Sequence, residues 1–433
     1  MTPGRILSVY VVLTLLSTFA SSFIWGINTL FLLDAGLSIT QAFAANAFFT
    51  AGEVIFEVPT GVVADTWGRR ASYLLGVATL LASTLLYLAM WRIQGPFWGW
   101  ALSSALLGLG FTFFSGATEA WLVDGLNATR YGGTLESAFA RGQIATGAGM
   151  LTGTIAGGVI AQVTNLGVPY VLRAAILGLT FIVAFVWMRD VGFTPRRTRS
   201  VVGEVRSVLG ASLDQGLRNP PVRWVMLAGV FSSGVPIYGF YAMQPYLLEL
   251  YGRSDYTIAG LSAALVAAAQ IAGAFVVPWA RRVFRRRTSA LLCGSVASAC
   301  ALLTMGLSSS FWIVLVVLAV WALVFAAARP IRQAFLNELI PSAQRATVLS
   351  SDNMIGSVGG AAAQPALGRV ADGGGYSTSY VAPAAVELLA WPFLLRARRE
   401  RAPSDPIRGA RSTGSAEPGA LAHGGAARPT ARS

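Results

Sequence analysis

"EVIFEVPTGVVADTWGRRASYLLG", residues 53–76, sets Glu53, Glu57 and Asp65 in an otherwise apolar run, breaks it with Gly68, Arg69 and Arg70, and then starts a second apolar run. Two apolar runs joined by so short a basic turn read as two helices meeting at a membrane surface. The rest of the 433-residue chain agrees with a lipid solvent. It is 55% hydrophobic and 12% charged, against roughly 25% charge in a soluble globular domain, and its mean hydropathy is +0.61. All 32 basic residues are arginine and the formal net charge is +13, a charge suited to lipid phosphate. With no basic soluble domain to carry it, that charge gives no nucleic-acid surface. Cys293 and Cys300 share one apolar run and read as core residues, while the single histidine, His423, sits in a polar tail. The pattern offers no metal site and no cofactor motif, so proton chemistry falls to carboxylates.

A membrane-crossing helix takes about 20 apolar residues. Twelve such runs can be placed, near 6–33, 39–64, 71–92, 97–124, 138–164, 168–188, 223–248, 256–280, 289–309, 311–337, 347–368 and 376–396. The first is too long for a signal peptide and lacks a cleavage-like exit, so it reads as a retained helix. The polar stretch 189–222 divides the runs into an N-terminal six-helix half, 1–188, and a C-terminal six-helix half, 223–397. Residues 398–433 read as a disordered basic tail able to rest on anionic lipid. With the N-terminus inside, Arg92, Arg173, Arg253 and Arg369 are left on outer loops and span ends, and the other arginines fall inside. The positive-inside bias then puts both termini in the cytoplasm, with the protein in a bacterial inner membrane. "RRASYLLG" at 69–76 and "RRTSALLCG" at 286–294 open the third and ninth spans alike. Internal duplication leaves such echoes; chance likeness between apolar runs is the other reading.

"GVVADTWGRR", Gly61 to Arg70, resembles the loop signature between the second and third helices of the major facilitator superfamily: Gly61, Asp65, then Gly68, Arg69 and Arg70. Thr66 stands where that pattern carries a basic residue. "GMLTGTIAGG", Gly149 to Gly158, is similar to the glycine-rich motif of the superfamily's antiporters, with Gly149, Gly153, Gly157 and Gly158 in place and Thr154 instead of proline. Glycines at this spacing serve plain helix packing equally well. "SGATEAWLVDGL" at 115–126 and "RPIRQAFLNELIPSAQRATVLS" at 329–350 look like the fourth and the tenth-to-eleventh helix segments of drug-exporter-like bacterial members. The fourth span has no arginine of the kind many proton-coupled exporters carry near its middle. The resemblance covers residues 5–397. It implies an all-α integral membrane protein of the major facilitator fold, twelve transmembrane helices as two six-helix halves that rock about a central site. It also implies an inner gate in which Asp65, Arg69 and Asp124 form a charge cluster facing the start of the eleventh helix, near Ala346 and Thr347.

Read from the residues themselves, Glu53 and Glu57 are four apart and share a helix face, roughly two to three turns from Asp65. Bare carboxylates at that depth cost about 2.5–3.5 kcal/mol each on insertion scales, so they should face the bundle interior or water. With Glu119 of the fourth span they are the candidate proton or cation carriers; backbone hydrogen bonds or a pair with Arg141 are the structural alternative. In the second half Arg329, Arg332, Gln333 and Asn337 recur down the tenth span, and Asp352 lies about one turn into the eleventh. Arg329 requires an anion, which Asp352, Glu338 or a substrate could supply. Glu387 stands alone in the last span. Aromatics such as Phe49, Phe231, Tyr238, Tyr241 and Tyr246 would, where they face a cavity, suit a bulky, apolar or cationic ligand.

No nucleotide-binding loop or nucleophile constellation occurs, so neither an enzyme nor an ATP-driven pump is expected and energy must come from an ion gradient. The expected function is proton-coupled efflux of small amphipathic or drug-like compounds, with a small-molecule substrate, protons and the bilayer as partners. A proton symporter importing a metabolite, and a transport-inactive scaffold or sensor, are the alternatives.

Overall fold

In lipid a backbone must satisfy its own hydrogen bonds, so apolar runs of this length become helices. The computed structural model describes residues 1–195, 203, 206, 210, 216, 218–340 and 345–407. Most of the expected central loop's middle, and the tail beyond 407 with His423, lie outside the described residues. The helices are α1 (Pro3–Trp25), α2 (Asn28–Asp34), α3 (Ile39–Thr66), α4 (Arg69–Ile93), α5 (Phe97–Thr112), α6 (Ala117–Ala128), α7 (Leu135–Val163) and α8 (Gly167–Trp187), then α9 (Pro220–Tyr251), α10 (Tyr256–Val283), α11 (Arg287–Leu307), α12 (Phe311–Leu339), α13 (Arg345–Leu388) and α14 (Trp391–Arg399). Among the described residues eleven helical stretches are long and apolar enough to cross a membrane. The last, Asp352–Arg399, runs through a non-helical break at Gly375, φ 76 and ψ 172, and so holds the eleventh and twelfth expected crossings.

One core gathers Ile6, Tyr10, Tyr73, Trp121 and Tyr170 from α1–α8. A second gathers Tyr238, Tyr246, Leu302, Trp321 and Tyr380 from α9–α13. We call the face carrying Met1 and Arg401 the basic face. At the opposite face the two sets of helices are stitched together. Ser38 and Gln41 form a capping box at the start of α3, and Asp372 of α13 accepts from Ile39 N at 3.1 Å and Thr40 N at 2.9 Å. These acceptors satisfy amide donors that a helix start leaves free. Gln244 of α9, fully buried, accepts from Thr29 N at 2.9 Å and donates to the Trp25 carbonyl at 2.7 Å. Deeper in, Gln364 donates to Thr50 Oγ1 at 3.2 Å.

The glycine-rich segment of α7 works at this seal. Gly149, Gly153 and Gly157 sit against α1 at Leu15, Phe19, Ser22 and Phe23, while Gly158 sits against Gly260 of α10. Close approach of small residues is how helices associate without a hydrophobic driving force. A Cβ on Gly158 would lie 2.7 Å from the Tyr256 carbonyl oxygen and 2.8 Å from Gly260 Cα. Gly158→Val is therefore expected to lower stability in detergent by about 1–3 kcal/mol, the usual cost of overpacking. Thermal unfolding is the measurement, and a wild-type midpoint would mean that α7 and α10 do not touch there.

The two echoing segments occupy like places. Arg70 N, at the start of α4, donates to Asp190 Oδ1 at 2.9 Å, and Thr288 N, at the start of α11, donates to Asp405 Oδ1 at 2.9 Å. Each aspartate follows the last helix of its set, which favours duplication over chance. Asp405 is 2% exposed, and Arg287 N and Ile407 N add hydrogen bonds to Asp405 O and Arg285 O. The chain is thus held in place past the tail boundary at 398 that composition suggests, because its carboxylate caps a helix. Two other expectations change. Arg173 does not lie at a span end: it is 1% exposed inside α8, near Tyr87, Tyr170 and Tyr241. Cys293 and Cys300 are exposed on α11 rather than in a core.

Candidate functional site

A cavity of 830 Å³ lies at mid-depth, on the basic-face side of the seal. Its α3 wall is Phe49, Thr50 and Glu53; α9 adds Phe240 and Tyr241, and α12 adds Phe325, Arg329, Arg332 and Gln333. Asp352 and Glu387 reach it from the two limbs of α13. Three carboxylates expected at one cavity separate here. Glu53 lines it, whereas Glu57, one turn on, accepts from Ser115 Oγ at 2.6 Å on the side of the α5–α6 turn. Glu119, at the start of α6, is exposed near Tyr10 rather than in the cavity wall, and no ion pair joins it or its neighbours to Arg141 among the described residues. Asn337 is half-buried near the end of α12, outside the cavity lining.

The two acids expected as partners of Arg329 are taken by other arginines, one on α12 and one on α11. Arg332 binds both carboxylate oxygens of Asp352, one at 2.7 Å, and also donates to the Val225 carbonyl at 3.1 Å. Glu338 pairs with Arg287 of α11, with contacts of 2.5 and 2.7 Å. Arg329, for which both acids were candidates, is exposed and lines the cavity with no ion pair among the described residues. Three residues before Arg332, it lies about one turn away on the same side of α12, and Arg332 occupies both oxygens of Asp352.

At the basic face Asp65, Arg69 and Asp124 come together. Arg69 Nη1 is 2.7 Å from Asp65 Oδ1, and its Nε is 3.9 Å from Asp124 Oδ2. Gly68 makes the turn between α3 and α4 at φ 108, and a Cβ there would strike the Asp190 carboxylate. Arg70 donates to the Phe185 carbonyl at 2.7 Å and lies over the Phe185 ring at 5.1 Å. Gly61 has open space: a methyl group added there would meet nothing within 4 Å. The side chains of Ala346 and Thr347, where the cluster's partner was expected, lie outside the described residues.

Sequence reasoning noted Glu387 without a role, and missed Gln270, Asn353 and the serines at 232, 233, 295 and 298 of the wall. Only the intramembrane charge of Glu387 carried a signal. Of the aromatics, Phe49 and Tyr241 face the cavity, whereas Tyr238 and Tyr246 are buried in the second core and Phe231 stacks on Phe393 at 5.7 Å.

A bundle sealed at one face around a polar cavity at mid-depth is the architecture of a secondary transporter. A family model described as Major Facilitator Superfamily matches residues 10–288 and 255–427, and the chain belongs to that superfamily as a multi-pass membrane protein. Among solved structures, the nucleoside transporter NupG superposes with a TM-score of 0.74 at 12% identity, over 90% of this chain and 98% of that one. The POT family transporter PepTSo gives 0.71 at 13%, over 93% and 99%. A D-xylose-proton symporter gives 0.66 at 16%, over 91% and 98%. At such identities the likeness is one of fold. No curated protein matches the chain.

Proposed function

We propose that the protein is a proton-coupled exporter of small amphipathic compounds, resembling drug:proton antiporters, with Glu53 as the carboxylate that takes up and releases the proton. The observation carrying this reading is Glu53 itself, an acid in the wall of the central cavity with neighbouring aromatics to hold an apolar body. Arginine placement supports the basic face as the cytoplasmic one in a bacterial inner membrane, so the sealed face would be outward and the cavity would load from inside. In this reading the two six-helix sets rock as bodies joined by the 189–222 loop. The residues beyond 407 serve as a lipid-facing tail, and Asp65, Arg69 and Asp124, with Gly61, Gly68 and Arg70, act as the inner gate. The α7 glycines let α7 slide on α1 and α10.

The test is proton flux in everted vesicles with an acidified lumen, read by a pH-quenched dye while compounds are added. Proton release from the lumen on adding a substrate supports antiport; release absent for every compound, together with proton-driven uptake in right-side-out cells, would sink it. Import of a metabolite is the second reading, favoured by Thr154 in place of the antiporter proline and by the nucleoside and D-xylose-proton transporters that share the fold. Asp65→Asn is expected to leave the protein folded, because Arg69 keeps Asp124 as a partner, yet to abolish transport. Wild-type flux from that variant would remove the gate role.

A further inference from the structure

Among the described residues five charged side chains line the cavity: Glu53, Arg329, Arg332, Asp352 and Glu387. Arg332 and Asp352 neutralise each other. Glu53 has its role in the reading above. Arg329 and Glu387 are left, one of each sign. Arg329 has no ion pair among the described residues, since Asp352 and Glu338 are engaged elsewhere. Glu387 is 6% exposed, and its Oε2 has no hydrogen-bond partner in the described structure. The polar groups beside it on α11 look elsewhere: Ser295 Oγ donates to the Leu292 carbonyl and accepts from Trp391, and Ser298 Oγ accepts from Trp321. The two line the same cavity from different helices, Arg329 from α12 and Glu387 from α13.

A guanidinium and a carboxylate that share a cavity without pairing are complementary to a molecule carrying both charges. Each would meet a charged hydrogen-bonding partner, the kind of contact that contributes most per bond. We propose that the cavity binds an amphipathic zwitterion, with its acidic group on Arg329, its ammonium on Glu387, and its apolar body on Phe49, Phe240, Tyr241 and Phe325. This rests on the cavity being the transport site and narrows the substrate class assigned to it.

The test uses the purified full-length protein and three forms of one fluorescent body: ciprofloxacin, zwitterionic near neutral pH, its cationic ethyl ester, and its anionic N-acetyl derivative. Binding is followed by fluorescence anisotropy. The zwitterion should bind about tenfold or more tighter than either singly charged form. Glu387→Gln should remove its advantage over the N-acetyl form while leaving that form's affinity unchanged; Arg329→Gln should do the same against the ester. Glu387→Asp and Arg329→Lys, which keep each charge, should retain part of the advantage and guard against a misfolded Gln variant. Equal affinity for the three forms, a uniform loss in the Gln variants, or no binding of any form would overturn the proposal. The vesicle assay is read separately. Proton flux driven by an uncharged compound without zwitterion preference sinks this inference and spares the coupling reading, whereas zwitterion-selective binding without flux does the reverse.

Discussion

Replacing Asp352 by alanine is expected to cost about 3 kcal/mol of stability, the low end of the 3–5 kcal/mol that follows when one partner of a buried ion pair is removed. The carboxylate is nearly buried, 4% exposed, and receives two N–H groups of Arg332, whose side chain is 23% exposed. Without Asp352 the guanidinium keeps, among the described residues, only the Val225 carbonyl as an acceptor. The loss is therefore set less by the attraction surrendered than by the cation left stranded. Water in the cavity can reach Arg332, which is why the low end applies. Replacing both residues together, Arg332→Met with Asp352→Leu, removes the stranded charge and should recover most of the loss. Chemical unfolding in detergent, run as a double-mutant cycle, reads both numbers. A single variant within 1 kcal/mol of wild type would mean that the pair is solvated and holds nothing.

That pair also marks where sequence reading stops. The helical crossings and the turn at Gly68 were legible because apolar length and a glycine followed by two arginines are local signals, and the Arg69 cluster followed from a recognisable spacing. The choice between Arg329 and Arg332 was not. Both recur down one helix, and which one meets Asp352 depends on how α12 is rotated against α13, a relation that no local pattern encodes. Glu53 and Glu57 shared a face in the sequence as they do in the fold, yet Ser115, in a turn 58 residues on, engages only one of them. Glu387 looked isolated because the cavity it lines is built by α3, α9, α10, α11 and α12, distant in sequence. Arg173 reads as a span-end charge because it comes five residues into the run at 168–188, whereas in the fold it is buried near tyrosines of α4, α8 and α9. Asp405 was hidden by the composition of the tail that follows it.

Glu53→Gln is expected to bring proton-driven transport to the level of empty vesicles while substrate exchange down its own gradient continues. The amide matches the acid in shape and can still donate to a ligand, but it cannot release a proton, so loading survives and coupling does not. Neighbouring acids cannot substitute. Glu57 is held by Ser115, and Glu119 lies outside the cavity wall, so Glu57→Gln and Glu119→Gln should transport close to wild type. Glu387 lines the same cavity from the other set of helices, which makes it the informative comparison. Loss of coupling in Glu53→Gln with exchange intact assigns the proton to α3 and leaves Glu387 to the ligand. Coupling retained in Glu53→Gln but lost in Glu387→Gln would move the proton to α13 and withdraw Glu387 from substrate recognition, since one carboxylate cannot hold an ammonium and a proton in the same step. Exchange and proton-driven flux measured side by side on the four variants distinguish these outcomes.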